Sequence, residues 1–351
     1  MNMTSIYLAG ATLLTPLGAD PMTVRAAMEA GLSGYQYCNL LGEGEPPIQF
    51  SPVPDEALKV RIPAQLPGFS PPQIRLLKLA TFALADIAPQ LPEAPLPLFL
   101  AGPEPYYQPG TLAPLLTRHL AKAAGVTLDT ASSRTITTGR AGVIEAIEIA
   151  FKYFEATGAP YALVGGIDTF YDLRILDILG KQKRLAGIGF EGLVPGEGAA
   201  FLLLASETAP NAAINRNLRR LHRPVVVREP GHLLGNALYT AEALATAWTS
   251  AIANAYSAEP KELIGTVYSS DTGEMHYNKE LTVATLRNQQ RLCPSRKIIR
   301  PAEFLGDLGA AFGAVAIALA SVDASQNQGH NSLVCASSDG GPRGAICLSP
   351  V

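Results

Sequence analysis

The sequence predicts an α/β protein, and the prediction rests on the size, the composition and the order of the apolar segments. The chain has 351 residues, of which 48% are hydrophobic and 16% charged, with 32 glycines and 28 prolines. This balance is typical of a large buried core with many turns, and it argues against a disordered or coiled-coil chain. Short apolar runs that suit covered strands alternate with longer segments whose apolar residues recur at helical spacing.

The first half contains clear examples of both patterns. Ile6–Leu14 is predicted as a strand, and residues 21–31 as a helix that ends at a glycine. Ser70 begins the next helix, because Ser-Pro-Pro-Gln combines a capping box with proline at the first helical position. The remaining predictions are a helix over residues 70–88, strands over 96–101, 161–164 and 199–205, and a helix over 141–157. The glycine pair at 165–166 is predicted to end its strand.

The second half repeats this order after a polar link at residues 206–220. The predicted elements are strands over 225–227 and 264–268, helices over 239–256 and 309–322, and a closing hairpin of 333–336 with 345–348. Each half ends with a helix of small residues followed by a strand, which indicates an internal duplication. We therefore predict two halves of one compact unit, residues 1–205 and 206–351.

Several classes of function are disfavoured by composition and spacing. The net charge of −3 gives no electrostatic reason to expect a nucleic acid or an anionic membrane as partner. The four cysteines lack C-x-x-C spacing, and we interpret them as reduced thiols of a cytoplasmic protein. The start of the chain does not have the pattern of a signal peptide, and the longest apolar run, residues 310–322, is too short for a membrane span. Neither a metal-ligand cluster nor a dinucleotide motif is present, so we expect no cofactor and no metal.

Several short motifs, taken in order, resemble the β-ketoacyl synthase branch of the thiolase superfamily. They are Thr-Pro-Leu-Gly at 15–18, Ala-Gly-Leu-Ser-Gly at 30–34, Gly-Gly-Ile-Asp at 165–168, the Gly-Glu-Gly-Ala run within 190–200, Leu-Gly-Ala-Ala at 308–311 and the glycine pair at 340–341. The resemblance implies a thiolase fold, a five-layered αβαβα arrangement of two duplicated halves with two buried helices between two sheets. It also implies a homodimer, whose interface strand would lie near residues 134–137.

The same resemblance implies a catalytic apparatus that this chain lacks. Members of the family use a cysteine at the start of the first buried helix, two histidine bases from the second half and a pair of backbone N–H groups. Aligning the threonine–glycine pair at 138–139 with the family motif places the cysteine at Ile136. The histidine positions fall on Ser270 and on Gly306 or Asp307, so cysteine and histidine are absent from all of them.

Arg140 stands at the head of the first predicted buried helix, where the resemblance implies a small residue facing the acyl pocket. A cation at a helix N-terminus opposes the helix dipole and, when buried, needs a carboxylate partner. Asp271 and Asp307 lie on loops that should converge there. The other candidate partners are Glu274, Glu303 and Asp339. One hypothesis is a salt-bridged plug that fills the former thioester cavity; the alternative is that Arg140 points to solvent.

Three functions remain open at this stage. Residues 190–205 and 304–316 resemble ketosynthase-like proteins found beside type VI secretion effectors, which implies a non-catalytic adaptor that binds an effector or a secretion component. A second interpretation is a chain-length-factor-like partner of an active ketosynthase in acyl-carrier-protein-dependent synthesis. The third is an acyltransferase with non-standard residues. Loss of the nucleophile and its bases removes most of the rate enhancement, so the sequence favours a protein that is not an enzyme.

Overall fold

The computed structural model describes residues 5–39, 47–60, 62, 66–108, 114–187, 191–210, 219–256, 263–325 and 331–351. The described strands are β1 (Ile6–Leu14), β2 (Gln36–Cys38), β3 (Ile48–Phe50), β4 (Leu98–Ala101), β5 (Arg134–Ile136), β6 (Tyr161–Thr169), β7 (Glu197–Ser206), β8 (Arg219–Leu221), β9 (Val225–Arg228), β10 (Ile264–Ser269), β11 (Leu292–Ile299), β12 (Asn331–Ser337) and β13 (Pro342–Pro350). The described helices are α1 (Pro21–Glu29), α2 (Pro71–Ile87), α3 (Pro114–Ala124), α4 (Gly142–Thr157), α5 (Leu173–Lys181), α6 (Ala243–Ala255), α7 (Met275–Arg287), α8 (Ala302–Leu305) and α9 (Phe312–Ser325).

The strand pairing repeats itself between the two halves of the chain. In the first half, β1 and β6 flank β7 in antiparallel pairs, and β4 then β5 follow β6 in parallel pairs. In the second half, β9 and β12 flank β13 in the same antiparallel way, and β10 then β11 follow β12 in parallel. Strand β8 bonds to both β1 and β13 and joins the two sets into one hydrogen-bonded path. The predicted duplication is therefore confirmed, while the boundary near residue 206 stays a prediction because residues 211–218 lie outside the described part of the chain.

Helices α4 and α9 lie between the two sets of strands. One side of α4 packs on β4 and β6 and the other on β9 and β13, while α9 packs on β1, β6 and β7 and on β12. Helix α2 covers the outer face of the first set, and α6 covers that of the second. The order helix, sheet, helix pair, sheet, helix is the five-layered arrangement that the family resemblance implies. Covered on both faces, β7 and β12 are buried at every residue.

Small residues bring the two central helices into close contact. A Cβ atom built on Gly313 of α9 would lie only 2.7 Å from the Cβ of Val143 in α4. The Gly/Ala-rich run of α9 thus sets the spacing of the middle layer.

The glycine pair at 165–166 does not end its strand, which corrects the prediction. Strand β6 runs through both glycines to Thr169. A Cβ on Gly165 would lie 2.5 Å from the Phe201 ring, so these glycines allow close packing and not a turn. The predicted helix over 239–256 also begins later, at Ala243. Among the described helices, none combines the length and hydropathy that a bilayer span requires.

Candidate functional site

The residues that open α4 place an arginine inside the protein. Gly139–Ala141 form a 3₁₀ turn ahead of the helix, and the Arg140 side chain in it is only 4% exposed. Its Nε donates to Asp307 Oδ1 at 2.9 Å, its Nη2 donates to Asp307 Oδ2, and its Nη1 donates to Asp339 Oδ1 at 2.5 Å. Burial would lower the pKa of Arg140, but the charges of Asp307 and Asp339 outweigh it and raise the pKa well above its usual value.

A second buried arginine extends the network. Arg184 follows α5 and forms a two-pronged ion pair with Glu274, at 2.7 Å from Nε and 3.0 Å from Nη2. Its Nη1 donates to Asp339 Oδ2 at 2.7 Å, so Asp339 bridges the two guanidinium groups. Burial would raise the pKa of Asp339, yet the charges of Arg140 and Arg184 hold that pKa far below its usual range.

Two tyrosines complete the hydrogen bonds to Asp339. The Tyr107 hydroxyl donates to Oδ2 at 2.5 Å, and the Tyr277 hydroxyl donates to Oδ1. The Arg140 guanidinium also lies over the Tyr277 ring, 5.2 Å from its centre. Burial and then the charge of Asp339 raise the pKa of both phenols, so both remain protonated donors.

Two further carboxyl groups, Glu104 and Asp168, surround the same point. Glu104 accepts the backbone N–H groups of Asp339 and Gly340, each at 2.8 Å, and Asp168 accepts that of Ala310 at 2.8 Å. Burial and the neighbouring aspartates raise the pKa of each carboxyl to about 7. Burial is the larger cause for both groups, and negative charge adds to it, since two arginines already face three carboxylates.

The space left among these groups is small. A cavity of about 20 Å³ is lined by Glu104, Arg140, Asp168 and Asp339, together with residues that include Tyr107, Phe170 and Ile175. A single water needs roughly 10–15 Å³ by the same measure. Among the described residues, this space can hold about one water and is too small for an acyl chain.

The fold closely matches solved ketosynthases. The ketosynthase from module 6 of the bacillaene synthase of Bacillus subtilis 168 superposes with a TM-score of 0.79 at 14% identity, over 99% of this chain and 72% of that one. The ishigamide ketosynthase/chain length factor gives 0.76 at 16% identity over 99% and 100%, and a β-ketoacyl synthase from Burkholderia phymatum STM815 gives 0.71 at 14% over 99% and 100%. The fold is that of the ketosynthases. At these identities the likeness establishes the fold alone.

The second half carries a separate similarity in sequence. Residues 218–350 match the family model described as type VI lipase adapter protein Tla3, C-terminal. No curated protein matches the chain by sequence. The chain therefore combines a ketosynthase-like fold with a C-terminal half similar to a type VI adapter family.

Arg140, and not Ile136, meets the loops of the second half in this ketosynthase-like fold. Ile136 is the last residue of β5, is 5% exposed and lies opposite Ala101 of β4. Its carbonyl accepts the N–H of Gly102. The aspartates of the second half converge four residues later, on Arg140.

The other predicted positions divide between the network and its surroundings. Asp307 and Asp339 bind Arg140, and Glu274 reaches the network through Arg184. Asp271 instead forms an ion pair with Arg300 at 3.0 Å, and Arg300 also contacts Glu303. Ser270 accepts the backbone N–H of Ser337 through its hydroxyl. Gly306 has φ +70°, and a Cβ there would lie 2.8 Å from Ser51 Cβ, so it shapes the loop.

No described cysteine or histidine enters the contacts of Arg140. Cys335 is buried in β12, and His276 stacks on the Tyr239 ring at 4.0 Å. Within the described residues, no group of three His, Cys, Asp or Glu side chains could hold a metal ion.

Sequence reasoning missed the second arginine, both tyrosines and Glu104. Arg184 ends a Lys-Gln-Lys-Arg run that has the appearance of a solvated surface. Tyr277 carried a usable signal, because it shares the buried face of α7 with Leu281 and Ala284 at helical spacing.

Proposed function

We propose that this protein is a non-catalytic adaptor for a type VI lipase effector, built on a ketosynthase fold. The observation that carries the proposal is Arg140 at the head of the first buried helix, sealed by Asp307 and Asp339. We propose that this arginine, and not Ile136, stands where the resemblance implies a nucleophilic cysteine.

The chemistry of the network supports a loss of acyl transfer. Covalent catalysis needs a nucleophile with a base in hydrogen-bond reach. A guanidinium with a raised pKa offers neither a lone pair nor a proton acceptor, and the tyrosine hydroxyls are held as protonated donors. The carboxyls of Glu104 and Asp168 are engaged by backbone N–H groups, and the remaining cavity has no room for a thioester.

The C-terminal half indicates the class of partner. Residues 218–350 resemble a type VI lipase adapter family, and this region supplies Asp307, Asp339, Glu274 and Tyr277 to the seal. An adaptor gains from a rigid scaffold, because preorganisation lowers the entropy cost of binding a partner. The ion network serves this purpose by fastening the two halves together.

Co-purification tests the adaptor function. The tagged chain is co-expressed with a type VI lipase effector and analysed by size-exclusion chromatography with light scattering. We expect a stable complex, and we expect none when an active ketosynthase of the same fold replaces the chain. Failure of the chain to bind the lipase, together with a stable heterodimer with a co-expressed ketosynthase, would instead support a chain-length-factor-like subunit.

We further propose that the protein is a homodimer and that it acts in the cytoplasm, before the effector is secreted. Strand β5 forms an end of the described sheet path, and its Arg134 and Thr135 are exposed. This edge is available for pairing with a second copy. Light scattering on the purified chain distinguishes the dimer from a monomer of 37.0 kDa.

A further inference from the structure

A loop from the first half inserts a carboxylate into a turn of the second half. The turn between β12 and β13 is closed by hydrogen bonds between Ser338 and Pro342 at 2.9 Å and between Gly341 and Ser338 at 3.2 Å. Its N–H groups at Asp339 and Gly340 each donate to one oxygen of the Glu104 carboxylate at 2.8 Å. Two adjacent backbone donors thus bind both oxygens of one carboxylate.

Two glycines leave the volume that this carboxylate fills. A Cβ on Gly340 would lie 2.8 Å from Glu104 Oε2. Gly139 has φ +65°, and a Cβ there would lie 2.6 Å from both Cγ and Oε1 of Glu104. All three distances are shorter than real Cβ atoms approach, so the two glycines leave room for the carboxylate on two sides.

The backbone below Glu104 is fixed by other contacts. The Glu104 carbonyl accepts the N–H groups of Tyr107 and Gln108, at 3.0 and 3.1 Å. The buried Gln108 amide donates to the Thr169 carbonyl at 2.7 Å. Removing the Glu104 side chain should therefore empty the cradle without releasing the loop.

We propose that the N–H pair of Asp339 and Gly340 is a carboxylate-binding site that Glu104 occupies in cis, and that it takes a free monocarboxylate when the Glu104 side chain is removed. The donors and the glycine cradle provide recognition, and the nearby Arg140 provides positive charge. The negative charge of Asp339 repels a bound anion, which agrees with the raised pKa of Glu104. The covalent attachment of the Glu104 side chain to the backbone is therefore the main reason that its carboxylate occupies the site. The inference depends on this geometry and not on the adaptor function.

Chemical rescue tests the site. The Tm of the Glu104→Ala variant is measured at increasing concentrations of sodium formate or sodium acetate. Sodium chloride at matched ionic strength is the reference. Saturable stabilisation is expected, with a rise in Tm of about 2 °C when the carboxylate exceeds its Kd tenfold. The natural chain should respond to formate no more than to chloride, because Glu104 already fills the site.

Two further variants make the result specific. Glu104→Ala combined with Gly340→Ala should lose the response, because the added methyl group occupies the carboxylate position. Glu56→Ala, at an exposed residue, should behave like the natural chain. The proposal is overturned if the folded Glu104→Ala protein shows no rise in Tm with formate, or if the Tm of the natural chain rises equally. If alanine prevents folding, Glu104→Ser is tested in the same way, and recovery of its soluble yield by formate but not chloride is the equivalent outcome.

Discussion

Replacing Arg140 by methionine isolates the charge of the central arginine, because methionine keeps much of its volume. Among the described residues, the substitution leaves the Asp307 carboxylate, 2% exposed, with the N–H of Gly309 at 2.9 Å as its remaining partner. Asp339 suffers less, because Arg184 and the two tyrosines still bind it. Breaking one partner of a buried ion pair costs about 3–5 kcal/mol, and we expect Arg140→Met to lower the unfolding free energy by that amount.

A double variant separates the lost charge from lost packing. In Arg140→Met/Asp307→Leu no uncompensated carboxylate remains at position 307, and apolar replacement of a buried pair is often close to neutral. We expect urea unfolding, followed by circular dichroism, to show the double variant about 2–4 kcal/mol more stable than Arg140→Met alone.

An exposed ion pair of the same type serves as the matched control. Arg287 and Glu242 contact each other with side chains 51% and 52% exposed, and Arg287→Met should cost about 0–1 kcal/mol. Two results would contradict this explanation. One is an Arg140→Met variant whose unfolding free energy falls no more than that of Arg287→Met. The other is a double variant whose loss of unfolding free energy equals the sum of the losses in its two single variants.

Three other changes test separate parts of the account. Tyr277→Phe removes a hydrogen bond to the charged Asp339 and should cost about 1.5–3 kcal/mol in the same urea assay, with no loss of helical signal. Gly313→Ala forces a methyl group against Val143 and should cost about 1–3 kcal/mol, part of which Val143→Ala should recover in the double variant. Because the pKa of Glu104 rises from its usual 4.5 to about 7 on folding, its stabilising contribution is present below about pH 4.5 and is lost as the pH rises to about 7. Glu104→Gln should flatten this decline in stability, and an unchanged pH profile would contradict the assigned shift.

Most of the fold could be predicted from local patterns. Ile6–Leu14 is a predominantly apolar strand, and Ser70 with its two prolines marks the start of α2, so both elements begin where the sequence predicts. The short edge strand Arg134–Ile136 was expected only from the family resemblance, because three residues with two exposed side chains carry no detectable period. Gly165 illustrates a different difficulty: its function depends on the Phe201 ring of a neighbouring strand, which no local pattern reveals.

The candidate site was only partly accessible to sequence reasoning. A buried cation at a helix head requires a carboxylate, and this argument led from Arg140 to Asp271 and Asp307, with Asp339 among the further candidates. Asp307 and Asp339 bind Arg140, whereas Asp271 pairs with Arg300. Glu104 could not be found in that way, because its partners are backbone N–H groups more than 230 residues away, at a sequence separation of 235 for Asp339. Arg184 was missed because its burial depends on tertiary packing around a run of charged residues that has the composition of a surface.

We propose that the head of the first buried helix does not accept an acyl group. Intact-mass spectrometry after incubation with an acylated acyl carrier protein tests it most directly, with an active ketosynthase under the same conditions as the positive control. We expect an unchanged mass for this chain and an added acyl group on the control. A stoichiometric acyl adduct on this chain, located by peptide mapping to residues 136–140, would contradict it.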